Sequence, residues 1–178
     1  MTDLNGKKIA IIATDHFEEA ELVQPRDALR EAGAEVKVYS TGTDPIQAVE
    51  GDTEPTQKVE VDGTFDDLDV SAVDALVVPG GTINADTIRT EAKAQEIVRA
   101  VHEAGKPLAV ICHGPWLLVS AGLAKGKRLT SYSSLADDLR NAGADWVVEE
   151  VVVDGNLITS RNPNDLPAFI KAIEDALG

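Results

Sequence analysis

The chain has 178 residues, 43 % of them hydrophobic, and a formal net charge of −15 from 31 acidic against 16 basic side chains. That length fits one domain with a sizeable core over residues 1–178, and the charge opposes binding to nucleic acid or anionic lipid, since both need Lys and Arg to neutralise phosphate. No apolar run is long enough to cross a bilayer, MTDLNGKK lacks a signal-peptide core, and one cysteine cannot close an internal disulfide, so a cytoplasmic protein is expected.

Residues 8–13 (KIAIIA) read as a buried parallel strand. Residues 14–17 form the loop leaving it, and a helix follows over about 18–32, stopped by Gly33. Pro25 implies that this helix either starts close to it or bends there. Residues 35–39 alternate as a second strand. The stretch 41–66 is rich in Gly, Asp, Thr and Pro, with short alternating pieces at 47–50 and 57–61 that suit a small surface hairpin or edge strands. Residues 74–79 are a buried strand running into Gly80 and Gly81, and 91–104 are a helix with Ala92, Ile97, Val98 and Val101 inward. After a strand at 107–111 come a short strand near Leu129, a helix at about 134–141, strands near 147–153 and 157–159, and a last helix ending at Leu177. This alternation predicts an α/β three-layer sandwich: a mostly parallel sheet, helices on both faces, right-handed crossovers. Ligands in such sheets bind at the carboxyl ends of strands, where the loops after Ala13, Pro79 and Ile111 meet.

The stretch 107–121, PLAVICHGPWLLVSA, runs from strand through a Gly114-Pro115 break into a helix stopped by Gly122. Strand, sharp turn and helix make a nucleophile elbow with Cys112 at its tip. A helix start beside the thiol favours thiolate; the competing reading is a small buried hydrophobe. His113 can take the thiol proton and return it to a leaving group. Side chains of adjacent residues usually point apart, which predicts poor reach from His113 to the thiol within one subunit. Gly80 and Gly81 leave backbone N–H groups open to a ligand, so that the N–H groups of Gly81 and His113 can form an oxyanion hole; a tight turn explains a Gly-Gly pair equally. Glu18, Glu19 and Glu21 suit any helix start. His16 lies near the same sheet edge and can line the pocket, whereas His102 falls on a helix face with a structural or solvated role. No cluster has metal-ligand spacing and no phosphate-binding glycine motif occurs, so neither metal nor cofactor is expected.

The segment ICHGPWLLVSAGLAKGKRLTSY, with LVVPGGTINADTIR before it and AGADWVVEEVVVDGNLITSRNPNDLPAF after it, resembles the PfpI-type intracellular protease family. That family sits in the class I glutamine amidotransferase-like superfamily with the parkinsonism-associated stress proteins, and the similarity runs from about Lys8 to the C-terminus. The resemblance implies a flavodoxin-like fold and a cysteine hydrolase acting on peptides, or on small aldehydes and glycated adducts. It also implies a homo-oligomer, dimer or hexamer, with the site near the subunit interface. In the family a glutamate four residues before a proline lies against the nucleophilic cysteine, and Glu21 with Pro25 matches. The implied contact is a protonated Glu21 donating to sulfur, which raises its own pKa and lowers that of the thiol. The family pairs its histidine with an acidic residue from the loop after PGG of a neighbouring subunit. Asp86 matches that position, with a shorter side chain than the glutamate of the better-known protease and a loop one residue longer; an N-cap of a short helix at 87–89 is its other reading. Arg161, within a pattern similar to the family's SR-x-P-x-DLPAF, is placed to bind a substrate carboxylate or to form a structural salt bridge. Glutaminase chemistry needs a histidine downstream of the nucleophile, and none follows His113. The alternative function is a redox-sensing general stress protein whose Cys112 is oxidised, with little or no hydrolase activity.

Overall fold

The computed structural model describes residues 2–178. In chain order its first half contains β1 (Lys8–Ile12), β2 (Phe17–Glu18), α1 (Glu19–Glu31), β3 (Glu35–Ser40), β4 (Ile46–Glu50), β5 (Glu54–Val59), β6 (Gly63–Thr64), β7 (Ala75–Val78) and α2 (Thr82–Ile88). The second half contains α3 (Ala92–Glu103), β8 (Leu108–Ile111), α4 (Pro115–Ala121), β9 (Arg128–Leu129), α5 (Ala136–Asn141), β10 (Asp145–Trp146), β11 (Val152–Asp154), β12 (Leu157–Ser160) and α6 (Leu166–Leu177). Among the described residues no helix is long and apolar enough to cross a membrane.

The central sheet has seven strands in the order β11-β12-β8-β7-β1-β3-β6. Every pairing within it is parallel except β11 with β12. All residues of β7, β8 and β12 are buried, as strands covered on both faces must be. Alternate side chains divide between two cores. Ile9, Ile11, Val77, Ala109 and Ile158 pack toward Leu22 and Leu29 of α1 and Phe169 and Ile173 of α6. Ala10, Leu76, Val78, Leu108 and Val110 face Ile97, Val98 and Val101 of α3 and Leu117 and Leu118 of α4. The result is the α/β three-layer arrangement that the pattern predicts, with the flavodoxin-like form that the resemblance implies.

Four local expectations change. Ala92, expected on the inner side of its helix, is the exposed first residue of α3, and Ala94 takes the buried place. Helix α1 starts well before Pro25 and carries it, buried, in its interior, because packing against α6 and the sheet outweighs the lost N–H bond. The VVEEVVV run is not one strand: β10 pairs with β9 in a separate ribbon, β11 edges the main sheet, and Val148 between them is 68 % exposed. Asp86 is not an N-cap, because α2 begins at Thr82 with Gly81 capping it. The polar stretch 41–66 does form a hairpin, β4 with β5, and β2 joins it to make a three-stranded sheet.

Two features of this outer region carry the site. The hairpin turn has positive φ at Gly51 (60°) and Asp52 (67°), and the N–H groups of both donate to the Glu18 carboxylate at 2.8 and 3.2 Å. Asn84, fully buried on α2, ties the loops after β1 and β7 together. Its Oδ1 accepts from Thr14 N–H (2.7 Å) and Thr14 Oγ1 (2.8 Å), while its Nδ2 donates to the Gly80 carbonyl (2.9 Å). Replacing it by Ala leaves buried groups unpaired, and each such group costs about 1–3 kcal/mol. Asn84→Ala is therefore expected to lower the urea midpoint by an amount equivalent to at least about 1 kcal/mol; an unchanged midpoint would show that the tie is dispensable.

Candidate active site

Cys112 follows the last residue of β8 and has a φ of 65°, a backbone conformation that non-glycine residues avoid. Hydrogen bonds on both sides hold it there. Its N–H donates to the Ser160 carbonyl (3.0 Å), its carbonyl accepts from Tyr132 N–H (2.8 Å), and Gly114 N–H closes the turn on Ile111 (3.0 Å). The twist turns the side chain away from the sheet toward a pocket of about 190 Å³, lined also by Glu21, Asp52, His113, Tyr132 and Pro163. The residue as a whole is 6 % exposed, and it forms part of the lining of that pocket.

His113 Nδ1 lies 3.2 Å from Cys112 Sγ. The expected divergence of adjacent side chains does not occur, because positive φ at Cys112 rotates its Cβ out of the normal alternation and onto the side of its neighbour. Tyr132 stacks on the imidazole (centroids 4.5 Å apart, planes at 24°) and Trp116 meets it edge-on at 5.5 Å. Desolvation by these groups lowers the His113 pKa, against a smaller upward pull from the Asp52 charge, which favours a neutral ring able to accept a proton.

Glu21 is fully buried beside the sulfur. Its Oε1 accepts from Gly80 N–H at 2.8 Å, and Oε2 has no hydrogen-bonded partner of good geometry; the Cys112 thiol is the side chain that interacts with this carboxyl. Burial raises the Glu21 pKa to about 8, so it holds its proton at neutral pH. Burial also pushes the Cys112 thiol up, and an ionised Glu21 pushes it further, whereas the N–H groups of Gly81 and His113 favour thiolate. The two acids are therefore coupled. With the proton on Glu21, the repulsion disappears and the carboxyl can donate to sulfur.

A thiol on a strained elbow, a neutral histidine against it, a protonated glutamate and two converging N–H groups form a complete constellation for attack on a carbonyl. The DJ-1/PfpI family model matches residues 7–176. This chain belongs to the DJ-1/PfpI family. It is 43 % identical over 164 residues to Deglycase PfpI of Pyrococcus furiosus, covering 92 % of this chain and 95 % of that protein. It is 41 % identical over 169 residues to General stress protein 18 of Bacillus subtilis, with 92 % and 94 % covered. Among solved structures, Drosophila melanogaster DJ-1beta superposes with a TM-score of 0.86 at 31 % identity, over 97 % of this chain and 91 % of that one.

Within this family fold the other expected residues have different fates. Gly80 and Gly81 are both at the site but do different work. Gly80 spends its N–H on Glu21, and a Cβ there would come within 2.6 Å of Glu21 Oε1 and 2.7 Å of Cys112 Cβ. Gly81, at φ 85°, has its N–H on the side of the sulfur, where it favours thiolate. Arg161 is not free for a substrate, because its guanidinium forms a fork on Asp165 (Nε 2.8 Å, Nη2 2.9 Å). His16 does not line the thiol pocket; it lines a separate cavity with Thr14, Ser40 and Thr41 at the carboxyl ends of β1 and β3. Asp86 lies exposed on α2. His102 sits near the end of α3, half-buried and away from the thiol pocket, and its backbone carbonyl accepts from Asn156. The residues that the sequence reading missed are Asp52, Thr82, Tyr132 and Asn84, none of which belongs to a recognisable spacing.

The Glu21 pKa has a consequence for stability. The folded state keeps a proton that the unfolded chain releases above 4.5, so the contribution of Glu21 is full below 4.5 and is lost as pH rises through about 8. Glu21→Gln, which mimics the protonated carboxyl, is expected to flatten the fall in urea midpoint across that window. An equal slope in wild type and variant would refute the assignment.

Proposed function

We propose that the chain is a cysteine hydrolase of small reactive carbonyl compounds and their adducts, in the manner suggested by the deglycase name of its Pyrococcus relative. The observation that carries this reading is the pocket itself. At about 190 Å³ it is smaller than the roughly 300–1,000 Å³ typical of drug-sized ligands. Such a space accepts a small aldehyde or a single modified side chain, whereas an extended peptide needs a groove on both sides of the scissile bond.

In this mechanism His113 Nδ1 takes the proton from Cys112 Sγ, and the sulfur adds to the carbonyl carbon. A C–S bond forms, and the π electrons move to oxygen. The N–H groups of Gly81 and His113, which favour negative charge on sulfur before the reaction, are within reach of the new oxyanion. Glu21 remains protonated beside the sulfur, so its carboxyl adds no repulsion to the thiolate that attacks and can donate a hydrogen bond to it. His113 gives its proton to the oxyanion and is neutral again. For an oxoaldehyde, R–CO–CHO, it then takes the hydrogen of the carbinol carbon and returns it to the adjacent carbonyl carbon while the hydroxyl proton passes to the former carbonyl oxygen, so that the thiohemiacetal becomes a thioester. Water then cleaves the thioester to a hydroxy acid and free thiol. Substrate plus one water equals product, so the chemistry calls for no external oxidant.

Purified wild type and Cys112→Ser should be compared on methylglyoxal, following loss of substrate and gain of lactate, and on denatured casein. The expected result is turnover of methylglyoxal by wild type only, with casein cleaved slowly or not at all. Efficient, Cys112-dependent casein cleavage without methylglyoxal turnover would replace this reading by a peptidase. Negligible rates on both, with sulfinic acid formed at Cys112 by mild peroxide, would replace it by the redox-sensing alternative.

A further inference from the structure

The hydrogen bonds on the far side of His113 determine which ring nitrogen carries the proton. Nε2 lies 3.2 Å from Thr82 Oγ1. The same hydroxyl lies 3.0 Å from Asp52 Oδ2, and Thr82 N–H donates to Asp52 Oδ1 at 2.9 Å. An ionised carboxylate can only accept, and a hydroxyl has a single proton to give. Thr82 therefore donates that proton to Asp52 and accepts from His113, which requires hydrogen on Nε2. Nδ1 is left with its lone pair 3.2 Å from Cys112 Sγ. The other tautomer would set a lone pair of Nε2 against the hydroxyl oxygen and leave no proton between them.

We propose that Asp52, acting through Thr82, is a positioning residue that fixes His113 as the Nε2–H tautomer, so that Cys112, His113, Thr82 and Asp52 form a relay closed within one chain. This rests on the hydrolase reading for its role but not for its geometry. When the relay fires, the S–H bond breaks and the proton moves to Nδ1. The products are thiolate and imidazolium, and the imidazolium keeps its Nε2–H on Thr82 while Asp52 faces its positive charge. The family resemblance implies an acid supplied by a neighbouring subunit, at Asp86. In this proposal the acid behind the histidine is Asp52, from the β4–β5 turn of the same subunit.

The turn is built for this. Both positive-φ residues, Gly51 and Asp52, have their N–H groups fixed on Glu18, so the Asp52 carboxylate is aimed before any substrate arrives. Thr82 is the first residue of α2, held against the sheet edge by the Asn84 tie two residues along. The ionisable groups around His113 are Cys112 beside it, Glu21 from α1, Glu18 from β2, Asp52 from the turn and Tyr132 stacked on its face. Asp52 is the one that Thr82 connects to the imidazole.

The test uses full-length wild type, Thr82→Val, Thr82→Ser and Asp52→Asn, the last chosen because Asn tolerates positive φ. Nitrogen-15 NMR of the His113 imidazole at neutral pH reads the tautomer directly, with substitution of His16 and His102 to assign the signals. Wild type and Thr82→Ser are expected to show Nε2–H, and Thr82→Val to populate Nδ1–H. In the same variants kcat on methylglyoxal should fall about tenfold or more in Thr82→Val with KM within about twofold, Asp52→Asn should lie between, and Thr82→Ser should recover most of the rate. The rate of Cys112 alkylation by iodoacetamide against pH should follow the same order. An Nδ1–H wild type overturns the proposal without any variant. So does loss of kcat in Asp86→Asn with retention in Thr82→Val. If methylglyoxal is not a substrate, the hydrolase reading fails, but the NMR and alkylation arms still decide the relay.

Discussion

The backbone of Cys112, forced to a φ of 65°, is the constraint on which the rest of the site depends. A non-glycine residue held there costs of order 1–3 kcal/mol, and the conformation persists because its neighbours are fixed from several directions. Ser160 on β12 takes the Cys112 N–H, Tyr132 supplies an N–H to its carbonyl, and Gly114 closes the turn behind it. Relaxing the residue to an ordinary extended conformation would break those bonds. It would also return the side chain to the strand alternation, inside the layer between β8 and the helices. The strain thus converts a small core residue into one with access to a pocket, and the same rotation brings Nδ1 of the adjacent histidine to 3.2 Å.

Access alone would not make the sulfur reactive, because burial by itself favours thiol over thiolate. The proton balance of the cluster resolves this. Glu21, with a pKa of about 8, takes no negative charge at neutral pH. One negative charge can then reside on sulfur, where the N–H groups of Gly81 and His113 meet it. Two fixed carboxylate charges beside the thiol would do the opposite. The division of labour follows the depth of each acid: Glu21 is fully buried and stays neutral, while Asp52, at a half-buried turn and hydrogen-bonded to Thr82 through both carboxylate oxygens, faces the imidazole as an acceptor.

The same acids shape what can enter. Glu18 and Asp52 stand on the pocket wall, in a chain whose net charge is −15. An anionic substrate approaches against both the local and the global field, and Arg161, the cation expected to help, is held on Asp165. A neutral carbonyl compound carries no such penalty. On the proposed hydrolase reading, an anionic product formed at the sulfur would be repelled by the same charges, which would favour its release. Small volume and negative walls therefore point in the same direction, toward uncharged electrophiles.

What the linear sequence reveals and what it hides follow from the range of the interactions involved. The alternation of apolar strands with helices is local and repeated, so the parallel sheet and its two helical layers were legible, as was the elbow, whose Cys-His-Gly-Pro string is contiguous. Pro25 misled because a helix boundary is a local preference that burial against α6 and the sheet can override, and VVEEVVV misled because strand propensity does not say whether a partner strand is free. Glu21 was legible only through its family resemblance, since a carboxylate at a helix start is ordinary on local grounds. The His113 side chain was misjudged because standard alternation was assumed at Cys112, where φ is reversed. Asp52 and Thr82 left no trace at all. They lie thirty residues apart, one in a polar turn and one after a Gly-Gly pair, and each residue type is common where it stands. Their meeting is set by the separate three-stranded sheet, in which β2 and β4 place the turn beside the start of α2. That sheet depends on a two-residue strand too short to carry a periodic signal.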